Sequence, residues 1–254
     1  MKGNVTAIAA IVAVFLLWEA GVRAFKVKPV ILPPPSAVLA DLFHAPGWYL
    51  GHAWSTLLVT LGGFALSVLV GVLLAVLIVE SQLLEKTIYA LIVALNSVPK
   101  VAVAPLFVIW LGTDAEPKIA IAFLIAVFAI VIDTVLGLKS VPPDILDLAR
   151  SLRGGRLATL WRIRFPCALP SLFAGMKVAI SLALVGTIVG EFVSSQRGLG
   201  YVILSAQGTF DTARVFAAII VLGIMGVALF WLIALVERLA IPWHVSQRET
   251  IPTA

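Results

Sequence analysis

The sequence predicts an all-α integral membrane protein with about six transmembrane helices. Of its 254 residues, 61% are hydrophobic and only 12% are charged, whereas a soluble globular domain has about 25% charged residues. The mean hydropathy is +1.11. So little charged surface would not keep a chain of this length in water. The apolar residues also fall into runs of about 20, the length that a helix needs to cross a bilayer.

Six apolar runs are candidates for the spanning helices, and we interpret the whole chain, 1–254, as one transmembrane domain with its core at 55–240. The first run follows Lys2 and looks like a secretion signal, but no clear cleavage site follows it and five further runs do. We therefore expect it to remain in the protein as an anchor helix. In chain order the predicted spans are 5–22, 55–79, 87–111 (interrupted by Pro99), 119–138, 172–192 and 215–236.

The distribution of lysine and arginine between the loops predicts the orientation of the spans, because positive residues favour the cytoplasmic side. With both termini in the cytoplasm, ten basic residues lie in inside segments and six in outside segments. Six of those ten lie in one loop, 139–170, which we therefore place in the cytoplasm. The formal net charge of +5 is then a consequence of topology and requires no nucleic-acid partner.

Metal and disulfide chemistry lack the residues they would need. Cys167 is the only cysteine, and His44, His52 and His244 are scattered outside the apolar runs. The chain therefore has no candidate disulfide and no cluster of metal ligands. An intramembrane hydrolase is excluded on the same inventory, because its serine or metal centre would need a histidine or a ligand cluster within a span.

The outer loop after the first span contains a predicted short helix at 37–44. Three consecutive prolines, residues 33–35, cannot continue a helix. Ser36 follows them and is predicted to be the N-cap of the short helix.

The cytoplasmic loop contains a short helix with start and stop signals at its two ends. The start signals are Pro142, Pro143 and Asp144 in the first turn. The stop signals are Arg150 in the last turn and the glycines that follow it. Apolar residues at spacings i, i+3, i+4 and i+7 form one stripe along it, namely Ile145, Leu148, Ala149 and Leu152. A second helical stretch, 156–164, presents Leu157, Leu160 and Trp161 and is predicted to end at Phe165-Pro166.

Two interpretations of this loop remain open. One is an amphipathic hairpin on the membrane surface with its arginines on lipid phosphates. The other is a helix that docks into the groove of a cytoplasmic partner. Both hold together if the first helix lies in the partner and the second lies at the lipid.

Ionisable residues inside the predicted spans are functional candidates, because a charge within the bilayer costs at least a few kcal/mol. Lys100 lies beside Pro99 in the interrupted third span, where a cation would suit an anionic substrate. The alternative is that Lys100 snorkels or pairs with an acid. Glu191 ends the fifth span, as part of the outer mouth or as a partner of Arg197. Lys177 is predicted to snorkel to the inner interface.

Five motifs, in order along the chain, resemble those of the permeases of binding-protein-dependent ABC transporters. Their EAA motif resembles Asp147-Leu148-Ala149-Arg150 followed by Ile163-x-Phe165-Pro166-x-Ala168-Leu169-Pro170. Four further motifs resemble those of the nitrate, sulfonate and taurine branch of this family. They are Leu32-Pro33-x-Pro35-Ser36-x-Val38, Val98-Pro99-Lys100-Val101-Ala102-x-Ala104-Pro105-Leu106, Gly137-Leu138-x-Ser140-Val141-Pro142, and Glu191 with Gly198-Leu199-Gly200-Tyr201. The family's usual glycine is Arg153 here, with Gly154 and Gly155 after it, so we expect the turn to be shifted by one residue.

The resemblance implies a permease subunit of an ABC importer in the bacterial cytoplasmic membrane. It makes the first short helix the coupling helix, seated in a cleft of an ATPase subunit, with candidate contacts Asp147, Ala149, Arg150, Leu152 and Gly154. A second permease subunit in a homodimer, two ATPase subunits and an extracytoplasmic solute-binding protein complete the implied transporter. The chain has no G-x-x-x-x-G-K-[ST] loop. ATP and Mg are therefore expected on the partner ATPase, and the chain itself is not expected to be an enzyme.

The substrate implied by the resemblance is a small anion such as a sulfonate, nitrate or taurine, although relatives also carry neutral pyrimidine-type precursors and aromatic acids. Candidate residues of the translocation path are Lys100, Pro99 and Glu191. The alternative function is a secondary transporter or channel subunit without an ATPase partner. That alternative needs intramembrane charges for ion coupling and gives no reason for the EAA-like loop.

Overall fold

The structure, a computed structural model, describes residues 2–81, 83–87, 94 and 98–243. The regular elements in these residues are helices, which confirms the predicted all-α fold. In chain order they are α1 Lys2–Ala24, α2 Pro35–His44, α3 Pro46–Glu80, α4 Lys100–Leu111, α5 Glu116–Lys139, α6 Pro143–Ser151, α7 Arg156–Thr159, α8 Phe165–Val193, α9 Leu199–Gly208 and α10 Thr212–Ala240. A π-helical turn, Leu160–Arg164, joins α7 to α8.

Within the described residues, four helical stretches are long and apolar enough to cross a membrane. They contain the second, fourth, fifth and sixth predicted spans, and they are Pro46–Glu80, Glu116–Lys139, Arg156–Val193 and Thr212–Ala240. The first predicted span lies within α1, a helix of 23 residues. The third predicted span is described only in part. Residues 88–93 and 95–97 of its first half lie outside the described residues, and its second half forms the 12-residue helix α4.

The break predicted at Phe165-Pro166 is wrong, because the helix runs from Arg156 to Val193 without interruption. The physical reason is the π-helical turn Leu160–Arg164, which ends two residues before Pro166. A proline lacks an N–H and its ring clashes with the carbonyl group four residues earlier in an α-helix. A π turn bonds residues five apart, so it widens the helix where the ring would otherwise clash.

The chain divides into two compact units. The first consists of Met1–Thr56 and Ser195–Met225, and the second of Leu57–Ser194 and Gly226–Ala254. The core of the first unit is formed by Val38, Tyr49, Leu199, Val202, Ala217 and Ala218. The second unit contains the short helix of the predicted cytoplasmic loop together with most of the long apolar helices.

In the first unit, a carboxylate from α1 performs the capping role that the sequence assigned to Ser36. Helix α2 begins at Pro35, so Ser36 lies inside it and the predicted N-cap is wrong. Ser36 donates its backbone N–H and its hydroxyl to the carboxylate of Glu19, at 3.0 and 2.8 Å. A negative group at a helix N-terminus satisfies otherwise unpaired N–H groups and suits the helix dipole. Arg23 in turn donates to Glu19 at 2.6 Å.

In the second unit, small residues bring the long helices into close contact. A Cβ on Gly186 of α8 would lie 2.6 Å from the Cα of Ala122 in α5, so only glycine permits this approach. Helices α3 and α8 are joined by a buried hydrogen bond from the hydroxyl of Thr60 to that of Thr187, at 3.0 Å. Such contacts replace the hydrophobic driving force that is absent between helices in lipid.

Lys177 pairs with an acid and does not simply snorkel to the interface as predicted. Its amine forms an ion pair with the carboxylate of Glu237, which lies near the end of α10. The side chain of Glu237 is only 9% exposed, whereas that of Lys177 is 25% exposed. A carboxylate this deep needs a partner of opposite charge, and the pair therefore fastens α8 to α10.

Candidate functional site

The short helix predicted in the loop between the fourth and fifth spans is confirmed as α6, Pro143–Ser151. It begins after Pro142, whose extended backbone (φ −55°, ψ 140°) suits the residue before a proline. Asp144 lies in its first turn and Arg150 in its last, so both charges match the helix dipole. The local signals of the sequence therefore determine where this helix starts and stops.

The apolar stripe of α6 is divided between the protein interior and the surface. Ala149 is 9% exposed and packs inside the chain, whereas Leu148 and Leu152 are 60% and 75% exposed. Ile145 is exposed as well. Exposed large apolar side chains on one short helix mark a surface for contact with another protein or with lipid.

Asp147 and Arg150 form an ion pair on the surface of α6. The guanidinium of Arg150 donates to the carboxylate of Asp147 at 2.7 Å, and both side chains are more than half exposed. A pair this exposed contributes little to stability. The two charges are therefore available to a partner at the rim of the apolar surface.

The turn after α6 is a Schellman motif with Arg153 in the left-handed position. The N–H of Gly154 donates to the carbonyl of Ala149 at 2.8 Å, and the N–H of Arg153 donates to the carbonyl of Arg150 at 3.0 Å. Arg153 has φ +55°. The one-residue shift of the turn that we expected is therefore wrong, because Arg153 itself adopts the conformation for which glycine is usual.

Gly154 is needed at its position for a different reason, which is the lack of space. A Cβ on Gly154 would lie 2.8 Å from the carbonyl oxygen of Ala149. The candidate residues Ala149 and Gly154 thus meet in the backbone of the turn, whereas Asp147, Arg150 and Leu152 point their side chains outward.

The loop is anchored to the long helices at both of its ends. At the first end, Lys139, the last residue of α5, forms an ion pair with Glu85. At the second end, Leu160 is 3% exposed and belongs to a core cluster with Ala75, Leu138 and Ala168. Both ends of the loop are therefore attached to the packed part of the second unit, through Lys139 and Leu160.

The candidate residues of the translocation path lie in the second unit. Lys100 is the first residue of α4, directly after Pro99, and its amine lies 4.8 Å from the ring centroid of Phe128, a cation–π distance. Nothing in the local sequence around Lys100 indicates this aromatic partner. Glu191, on the last turns of α8, is 1% exposed.

Two side chains that the sequence analysis did not single out hold the start of α9 in the first unit. The N–H of Leu199 donates to the hydroxyl of Thr56 at 2.8 Å, and that of Gly198 donates to Nδ1 of His52 at 3.0 Å. Gly198 has φ +111°, which favours glycine. The signal for this contact was the i, i+4 spacing of His52 and Thr56 on one face of α3.

These features define a class of protein: an integral membrane protein that presents an exposed amphipathic helix between two spanning helices. Residues 67–241 match the family described as binding-protein-dependent transport system inner membrane component. The chain belongs to this family, the permease subunits of ABC importers, and is a multi-pass protein of the bacterial cytoplasmic membrane.

Relatives with different named substrates are similar over most of the chain. The formylaminopyrimidine transport permease protein ThiX of Halalkalibacterium halodurans is 32% identical, covering 91% of this chain and 93% of ThiX. The riboflavin transport system permease protein RibX of Chloroflexus aurantiacus is 34% identical, covering 91% and 87%. The putative aliphatic sulfonates transport permease protein SsuC of Bacillus subtilis is 28% identical, covering 92% and 85%.

The fold is similar to that of a solved permease. A chain of the MetNI methionine ABC transporter, in inward-facing conformations, matches with a TM-score of 0.67 over 75% of this chain and 95% of that chain. The identity is 17%, so this similarity concerns the fold alone.

Proposed function

We propose that the chain forms the translocation path of an ATP-driven importer and that α6 is the coupling helix on which an ATPase subunit docks. The observation that carries this proposal is the exposed apolar surface of α6, Leu148 with Ile145 and Leu152. The proposed topology has six spans with both termini in the cytoplasm. Two permease copies, two ATPase subunits that bind ATP and Mg, and an extracytoplasmic binding protein complete the proposed assembly.

Within the proposed interface the five candidate residues, three on α6 and two in the turn after it, have different roles. Leu152 fills an apolar part of the ATPase cleft, and Asp147 with Arg150 provides polar contacts at its rim. Ala149 and Gly154 act indirectly, because their mutual hydrogen bond fixes the turn that presents Leu152. The Ala149 side chain is buried, so a bulky residue there would disturb the chain before it disturbed the partner.

The docking proposal is tested by the variant Leu148→Glu, with Leu157→Glu as a matched control. Both leucines are exposed, by 60% and 72%, but Leu157 lies on α7 and not on α6. With the tagged permease co-expressed with its ATPase subunit, we expect Leu148→Glu to reduce the recovered ATPase at least tenfold. We expect Leu157→Glu to recover it as the parent does. Equal recovery by the two variants would refute the assignment of α6.

For the substrate, we propose a small anion of the sulfonate, nitrate or taurine kind that passes Lys100. Two observations support this proposal. The motifs resemble those of the nitrate, sulfonate and taurine branch, and Lys100 is the first residue of α4, directly after Pro99. Glu191 is proposed to lie at the outer end of the path. The second candidate is a neutral heterocycle, which is favoured by the named substrates of ThiX and RibX.

The two substrate classes are separated by a thermal-shift screen of the binding protein that serves this permease. Its melting temperature should rise with taurine or an alkanesulfonate and stay unchanged with formylaminopyrimidine or riboflavin; the reverse result would favour the heterocycle. For the path itself, Lys100→Met should lower ATP-driven uptake in proteoliposomes, whereas Lys86→Met, at an exposed position outside the proposed path, should leave uptake unchanged. Equal uptake by both variants would show that Lys100 does not contact the substrate and serves only to pack on Phe128.

A further inference from the structure

Residues 156–164, called here the interfacial segment, carry three positive charges that the described part of the chain does not neutralise. These are Arg156, Arg162 and Arg164. None of the three forms an ion pair with a described residue. The sequence contains no acidic residue between Asp147 and Glu191. By contrast, Arg150 on α6 has its own carboxylate partner.

The free side of the interfacial segment is apolar as well as basic. Leu160 faces inward and is 3% exposed, whereas Leu157 and Trp161, three residues before it and one after it, are 72% and 57% exposed. The ring of Trp161 lies 5.1 Å from that of Phe165, where the segment continues into α8. Arg162 is exposed beside Trp161, and Arg164, one turn after Trp161, is partly exposed. Tryptophan and arginine at the end of a spanning helix are typical of the headgroup layer of a membrane, where a ring can be half buried and a guanidinium can reach phosphate.

The position of the segment along the helix places its end at the depth of the headgroups. Residues 165–190 follow Arg164 without a break and contain Lys177 as their only charged residue. These 26 residues span about 39 Å at about 1.5 Å per residue. A bilayer with its headgroup regions is about 40–45 Å thick. Arg164 therefore lies near one boundary of the membrane, and so do Arg162 and Trp161, which are two and three residues before it.

We propose that Arg162 and Arg164, which lie on either side of Trp161 around the helix, bind the phosphate headgroups of anionic phospholipids. The two guanidinium groups bind phosphate oxygens through paired N–H donors, and the indole ring of Trp161 lies between the headgroups and the acyl chains. The occupant is lipid because the segment is continuous with a spanning helix and its charge is complementary to that of an anionic headgroup. This site is separate from α6, which has its own exposed surface.

The experiment uses the purified complex of permease and ATPase subunits extracted from membranes containing both phosphatidylglycerol and phosphatidylethanolamine. The readout is the ratio of phosphatidylglycerol to phosphatidylethanolamine that remains bound, measured by mass spectrometry of the extracted lipid. The test variant is Arg162→Gln with Arg164→Gln. The charge-matched control is Arg156→Gln with Lys28→Gln, because both side chains are exposed, form no ion pair with a described residue and lie outside residues 161–164 and outside the turn after α6.

We expect the test variant to lower the bound ratio at least twofold and the control to keep the ratio of the parent. The ATPase subunit should co-purify in equal amounts with both variants. An unchanged ratio in the test variant would overturn the proposal. Loss of the ATPase subunit with an unchanged lipid ratio would overturn it too, and would assign these arginines to the protein interface instead.

Discussion

Arg153 has a left-handed backbone, with φ +55°, in the turn that follows α6. For a residue with a Cβ this conformation costs about 1–2 kcal/mol. The cost is offset because the turn satisfies the carbonyl groups of Ala149 and Arg150, which would otherwise end the helix unpaired. The sequence pattern alone suggested that Gly154 would take this conformation, but Gly154 is required for space and not for its backbone angle.

The variant Arg153→Gly should tighten the turn after α6. It removes the left-handed strain, and the greater freedom of glycine in the unfolded chain cancels part of the gain, so we expect a net stabilisation of about 0.5 kcal/mol. Hydrogen exchange of the amides at positions 153 and 154, both donors in the turn, should become slower.

The comparison variant at this turn is Gly154→Ala. Its new Cβ would meet the carbonyl oxygen of Ala149 at 2.8 Å, so the same amides should exchange faster. If exchange in Arg153→Gly is as fast as in Gly154→Ala, strain at Arg153 does not limit the turn.

At the scale of helices, the ion pair between Lys177 and Glu237 joins α8 to α10. Neither residue reveals its partner in the sequence, because Lys177 lies within one apolar run and Glu237 just after another. From the sequence, a cation near the end of a predicted span is expected to snorkel, and this expectation holds only when no acid is in reach. The pairing depends on how the two helices pack and not on the local sequence of either.

Neutralising one partner of this pair should destabilise the protein more than neutralising both. Glu237→Gln leaves Lys177 without its carboxylate, and we expect a loss of about 2 kcal/mol, below the value for a fully buried pair because Lys177 is partly exposed. The double variant Lys177→Gln with Glu237→Gln should recover most of that loss. The measurement is the melting temperature of the purified protein in detergent.

Asp114→Asn controls for the loss of one negative charge, because Asp114 is exposed and forms no ion pair with a described residue. Its melting temperature should match that of the parent. A double variant that is less stable than Glu237→Gln would show that the two side chains act independently.

For the whole molecule, we expect ATP hydrolysis to require a separate ATPase subunit. The sequence holds no phosphate-binding loop, so the purified permease alone should release no phosphate from MgATP. With its ATPase subunit added, hydrolysis should appear and should rise with substrate-loaded binding protein. Solute uptake by the permease alone, driven by an ion gradient without ATP, would instead support a secondary transporter.

Much of this protein could be predicted from its sequence, because the determining signals are local. Hydrophobicity over about 20 residues identifies the apolar helices, and the prolines, Asp144 and Arg150 define α6 whatever surrounds it. The motifs were sufficient to predict the family. The sequence also correctly identified the loop that presents the exposed helix.

Only the tertiary structure decided which side of that helix is free. It buried Ala149 and exposed Leu148 and Leu152, although all three lie on the stripe that the sequence predicts. It also made Glu19 the cap of α2 and Glu237 the partner of Lys177. These outcomes depend on residues far apart in the chain, whose proximity is set by helix packing. A local pattern carries no information about such contacts, and this is why the sequence determined the helices and the class of protein while the packing determined the surface that a partner can reach.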